Sequence, residues 1–146
     1  MPKQKLQNKE YLTKEEVQKI RDKSFEIDRL DHVKDIFIFC CYTGLAYADV
    51  EKLTGKEIKK GLDGEMWVMV NKTSIQLPSA LLPEAAAILN KYQNNPTNAI
   101  KGNLLPVVSN QKMNAYLKEI GDVCAINKNI TFHMARHTFA TTISSE

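Results

Sequence analysis

Apolar residues recur at helical spacing along most of this chain, whereas the short stretch Met66 to Val70 is apolar at every position. Thr13-Lys14-Glu15-Glu16 reads as a capping box, with Thr13 as N-cap and Glu16 answering from the third helical position. The helix it opens turns Val17, Ile20 and Phe25 inward. A second helix is predicted from near Asp31 through Val33, Ile36, Phe37, Phe39 and Cys40. It is apolar on nearly every side, which predicts a buried central helix. Gly44, after Thr43, is the natural left-handed C-cap. A short helix of roughly Tyr47 to Leu53 follows at once.

Leu62-Asp63-Gly64-Glu65 is a turn, and Met66-Trp67-Val68-Met69-Val70 then reads as a strand. A second strand around Ile75 to Leu77 makes a hairpin whose tip carries Asn71-Lys72-Thr73. Pro83 stands at the first position of a helix reaching about Tyr92, and Asn94 to Asn103 is loop. Ser109 caps a helix with Met113, Tyr116, Leu117 and Ile120 on one buried face, and a last helix starts after Thr131. The fold class expected is mostly α with a small antiparallel β-hairpin or sheet (α+β). Residues 1–10 read as a flexible lead-in, and 11–146 as one domain. No glycine stop signal precedes the end at Thr142-Ile143-Ser144-Ser145-Glu146, so the domain is expected to be C-terminally incomplete.

Composition narrows this picture little. A net charge of +3 permits nucleic-acid binding without demanding it, because clustering of charge matters more than its total. Lys56, Lys59 and Lys60 form one small basic cluster, either a phosphate-tracking surface or a solvated face. Cys40, Cys41 and Cys124 form no CxxC motif and read as reduced core thiols, with no metal site expected. The polar N-terminus lacks the apolar core of a secretion signal, and Ile36 to Tyr42 is too short to span a bilayer. A cytoplasmic protein is expected.

The chemistry concentrates in Thr131-Phe132-His133-Met134-Ala135-Arg136-His137-Thr138-Phe139-Ala140-Thr141. His133 and Arg136, three residues apart, share one helix face. With Thr131 as N-cap, backbone N–H groups and the positive end of the helix dipole lie beside that face. A guanidinium fork, an imidazole and a helix start suit a phosphate, and such a group can stabilise a phosphoryl-transfer transition state.

In this order the segments resemble the catalytic domain of tyrosine-type site-specific recombinases, the integrases of phages and transposons. Tyr11-Leu12-Thr13-Lys14-Glu15-Glu16 is similar to that family's domain opening. Cys41-Tyr42-Thr43-Gly44-Leu45 with Asp49-Val50 resembles its first signature, Asn71-Lys72-Thr73 its hairpin lysine motif, and His133 to Thr141 its second signature. The wording Tyr42-Thr43-Gly44-Leu45-Ala46-Tyr47-Ala48-Asp49 is most similar to integrases of conjugative and mobilisable transposons of Bacteroides-type bacteria.

The resemblance implies an enzyme that cuts and rejoins double-stranded DNA at attachment sites through a 3′-phosphotyrosyl intermediate, with no cofactor and no metal. It implies catalytic roles for Arg136, His133 and Lys72, with Lys72 and Arg136 also contacting DNA. Asp49 and His137 would support the site from behind. Further protomers are implied for a full-length protein, no membrane partner is, and a monomer is expected for this chain. Two departures stand out. The family's first catalytic arginine follows Thr-Gly-Leu directly, and here that position is Ala46. None of Tyr11, Tyr42, Tyr47, Tyr92 and Tyr116 lies in the context of the nucleophile, so the chain alone is expected to be inactive. The readings set against an integrase fragment are a DNA-binding module without chemistry and a helical interaction domain, the latter expecting Arg136 in a packed salt bridge.

Overall fold

The computed structural model describes residues 11–54, 58–60, 66–72, 75–80, 82–93 and 102–143, the strands as backbone only. Helix α1 is Lys14–Asp22, α2 Asp28–Thr43 and α3 Tyr47–Glu51. Strands β1 (Ile58–Lys60), β2 (Met66–Lys72) and β3 (Ile75–Ala80) follow. Then come α4 (Pro83–Lys91), α5 (Asn110–Val123) and α6 (Phe132–Thr138), which runs into a π-helical turn at Phe139–Ile143.

Local chemistry sets most of these boundaries. The Thr13 hydroxyl accepts from Glu16 N–H at 3.2 Å, and the Glu16 carboxylate accepts from Thr13 N–H at 2.9 Å, closing the capping box of α1. Ser109 accepts from Lys112 N–H at 3.3 Å and starts α5. Met113, Leu117 and Ile120 of α5 are fully buried, while Tyr116 is half-buried beneath Arg29, whose guanidinium stands 4.8 Å from the ring centre. Gly44 ends α2 in the left-handed region at φ 79°, and its N–H donates to Cys40 O at 2.8 Å.

Helix α2 is the hub, packed on α1, α4, α5 and α6. It starts at Asp28, a turn earlier than the apolar pattern predicts, with Asp28 and Asp31 in its positively polarised first turn. Nor is it apolar all round, since Lys34 and Asp35 are buried within it. Lys34 Nζ donates to Arg21 O and Lys23 O, the open carbonyls at the end of α1, at 3.3 and 3.1 Å. Asp35 accepts from Lys91 Nζ at 2.6 Å and from the Tyr92 hydroxyl at 2.5 Å. Burial and this carboxylate push the Tyr92 phenol up. The polar positions of the central helix are thus satisfied by the ends of its neighbours, which no local periodicity reveals. His32, expected to be exposed, is half-buried with its ring edge-on to Tyr92. Cys40, Cys41 and Cys124 are buried free thiols, raised by that burial.

The sheet has the order β1-β2-β3, antiparallel throughout. β1 was not predicted, and it carries Lys59 and Lys60 of the basic cluster; Lys56 lies outside the described residues. The β2–β3 register runs from Trp67 opposite Ala80 to Lys72 opposite Ile75. Asn71 and Lys72 are therefore paired strand residues, not the tip, because the ladder continues to the last pair flanking Thr73 and Ser74. Thr73, the expected turn at 62–65, the loop at 94–101 and the lead-in at 1–10 lie outside the described residues.

The segment before α1 is bound to the far end of the chain. Leu12 is fully buried; its N–H donates to Thr138 Oγ1 at 3.0 Å, and its carbonyl accepts from Thr142 Oγ1 at 2.6 Å. Lys128 Nζ donates to Tyr11 O at 3.0 Å and to the Glu16 carboxylate at 2.7 Å.

Candidate functional site

Two tight pieces of chain meet to form a cleft. The first is the turn after α2. The Thr43 hydroxyl donates to Phe39 O at 2.9 Å and accepts from Leu45 N–H at 3.3 Å. Ala46 N–H donates to Asp49 Oδ2 at 3.3 Å, so Asp49 fixes the start of α3. A Cβ on Gly44 would stand 2.6 Å from Phe139 Cδ2, so the ring of Phe139 closes over this turn. The two signature segments are thereby locked together by a glycine–aromatic contact.

The second piece is α6. Phe132, Met134, Ala135 and Thr138 point into the core, and His133 and Arg136 share the exposed face. The Phe132 ring packs edge-on against Phe37 and Tyr47, with centroids 5.7 and 6.1 Å away. Thr131 has N-cap backbone angles, but its side chain makes no capping bond. Asn114 of α5 does so instead, its Oδ1 accepting from Phe132 N–H at 3.0 Å. The expected bundle of free N–H groups beside Arg136 is reduced accordingly, because a partner eighteen residues away has taken the first of them.

Between these pieces lies a cleft of about 330 Å³. Ala46, Tyr47 and Ala48 form one wall and Asn110 and Asn114 another, with Thr131, Phe132, His133 and Arg136 completing it. The Arg136 guanidinium is exposed, and among the described residues no carboxylate lies within ion-pair distance of it. His133 and His137 face each other through their Nε2 atoms at 3.1 Å, so one ring donates and the other accepts, coupling the tautomers of the pair. Lys72 ends β2, and its side chain lies outside the described residues.

Tyr47 lines the cleft, but its hydroxyl donates to Val108 O at 2.6 Å, and burial together with Glu51 pushes the phenol up. Tyr42 accepts from Arg21 at 3.2 Å, and Tyr92 is tied to Asp35. Asn110 and Asn114 were missed in the sequence. The only signal for them is their position, four apart, beside the buried stripe of α5.

The helical arrangement is similar to that of site-specific recombinases. A crystal structure of XerH site-specific recombinase bound to difH substrate, in a pre-cleavage complex, matches at a TM-score of 0.71 and 15% identity, over 94% of this chain and 43% of that one. XerA recombinase matches at 0.63 and 20% identity, over 90% and 49% of the two chains. XerH on a palindromic difH substrate, post-cleavage, matches at 0.67 and 14%, over 90% and 41%. This chain spans less than half the length of each. No curated protein matches it. The chain belongs to the phage integrase family, whose pattern matches residues 10–146.

Proposed function

We propose that this chain is the DNA-binding, catalytic-domain part of a tyrosine-type site-specific recombinase. The whole enzyme would break and rejoin duplex DNA at attachment sites through a 3′-phosphotyrosyl link. Arg136, His133 and Lys72 are its catalytic residues, with Asp49 and His137 holding the surrounding backbone and the imidazole. The observation that carries the reading is the cleft that joins the Ala46 turn to His133 and an Arg136 unpaired among the described residues. An arginine buried in a salt bridge, as the interaction-domain reading expects, is not what α6 presents.

In this chemistry a tyrosine oxygen attacks the scissile phosphorus and the bond to the 5′-oxygen breaks. Charge builds on the non-bridging oxygens, which the planar Arg136 fork meets with two N–H donors. His133 adds a third donor, and Lys72 gives the departing 5′-oxygen its proton. The nucleophile is none of Tyr11, Tyr42, Tyr47, Tyr92 and Tyr116, and further protomers join the full-length enzyme on DNA. The wording from Tyr42 to Asp49 supports a place among Bacteroides-type transposon integrases.

Fluorescence anisotropy of a labelled generic duplex across a salt series tests the reading. Binding is expected to be weak and to fall steeply with salt, and Arg136→Ala should weaken it and lower the log–log slope by about 0.9, the loss of one phosphate contact. Equal binding by the two proteins would remove Arg136 from the phosphate site. No covalent DNA adduct is expected from the chain alone.

A further inference from the structure

The cleft has a gap among its donors. Ala46 brings a methyl group, and its N–H is held by Asp49 at 3.3 Å. The hydroxyl of Tyr47 is committed to Val108 O. Neither side chain on the α3 wall therefore offers a phosphate a free donor.

The wall made by α5 is different. Phe132 N–H can only donate, so the Asn114 atom 3.0 Å from it is the carbonyl oxygen. The Asn114 NH2 group then faces Asn110 at 3.4 Å, so the Asn110 atom receiving it is likewise its oxygen. This chain of bonds has one polarity. It leaves the Asn110 NH2 group unconsumed by the relay. Asn110 is exposed and lines the same cleft as His133 and Arg136.

We propose that the Asn110 side-chain amide is a further DNA-binding donor of this cleft, taking a phosphate oxygen that the Ala46 side chain leaves unmet. The inference rests on the reading of the cleft as a DNA phosphate site. The donor is neutral, so it adds hydrogen bonding without counterion release, and the bond from Asn114 at 3.4 Å biases its NH2 group away from α5.

Asn110→Asp is the sharp test. Aspartate keeps an oxygen to accept from Asn114 and suits the first position of α5, after the Ser109 cap, so the fold is retained. The free NH2 donor is replaced by an oxygen that can only accept, and the carboxylate carries a negative charge. In the same anisotropy assay Asn110→Asp should weaken duplex binding roughly ten-fold or more, and Asn110→Ala roughly three-fold with an unchanged salt slope. Gln111→Glu puts the same charge on an exposed neighbour outside the cleft and should change binding by less than about two-fold. Two results overturn the proposal while leaving the recombinase reading intact. In one, both Asn110 variants bind like the unaltered chain although Arg136→Ala weakens binding. In the other, Asn110→Asp and Gln111→Glu weaken binding equally. Should Arg136→Ala also bind normally, DNA does not use the cleft, and both readings fall together.

Discussion

Gly44 shows how much of the site depends on single atoms. Its φ of 79° is one that alanine enters only at a cost of about 1–2 kcal/mol. A methyl there also meets the Phe139 ring at 2.6 Å, an overpacking that adds about 1–3 kcal/mol. Gly44→Ala is expected to lower stability by about 2–5 kcal/mol in urea unfolding. The same change in a Phe139→Ala background should cost about 1–2 kcal/mol, because only the backbone penalty remains. Equal costs in both backgrounds would mean that the ring does not close on the turn. The need for glycine as a C-cap was legible in Thr43-Gly44, whereas the need for it beneath an aromatic ring was not. That contact joins residues far apart in the chain. His133 and Arg136 were readable as face partners because helical spacing alone puts them together. Asn110 and Asn114 were not, because a polar residue beside an apolar stripe looks solvated until α6, whose first N–H Asn114 accepts, is in place.

At the scale of elements, α1 illustrates a local signal completed from a distance. Its capping box was plain in Thr13 to Glu16, but the cation that completes it, Lys128, comes from the loop after α5. Partial burial works to raise the Glu16 carboxyl; Lys128 and Thr13 outweigh it and hold the group below its ordinary value of 4.5. A depressed carboxyl contributes stability that is present above the unfolded-state value and is lost as pH falls through the folded-state value. The stability of the chain is therefore expected to decline below about pH 4.5 partly through Glu16. Lys128→Met should destabilise the protein at neutral pH, and the gap to the unaltered chain should narrow as the pH drops below that range. Thermal unfolding at a series of pH values reads it directly. A gap that stays constant with pH would show that Lys128 acts through Tyr11 O and packing alone.

Across the whole molecule, the order of helices and the buried faces of α1 (Val17, Ile20) and α5 followed from apolar spacing, and the capping residues fixed where those helices begin; Phe25, expected on α1, lies past its end at Asp22 and packs on the core from the following segment. The central helix broke the rule, since Lys34 and Asp35 are buried within a segment that reads as apolar. Their partners are the carbonyl end of α1 and the residues Lys91 and Tyr92. Such pairing is a property of assembled elements, and a single helix carries no trace of it. The tie between the two ends of the described chain is of the same kind. Thr138, fully buried on α6, accepts from Leu12 N–H and donates to Met134 O at 2.9 Å. The helix carrying His133 and Arg136 is thus anchored to the segment that precedes α1. Thr138→Val keeps the shape and removes both bonds, leaving Leu12 N–H buried without an acceptor, at a cost of about 1–3 kcal/mol. Thr138→Ser keeps the hydroxyl and should lose only about 1 kcal/mol, from a missing methyl group. Amide hydrogen exchange should show Leu12 losing protection in the valine variant and retaining it in the serine variant, with α5 unchanged in both. If Leu12 stays protected in Thr138→Val, the segment is held by the burial of its own side chain, and α6 owes its position to the core beneath it.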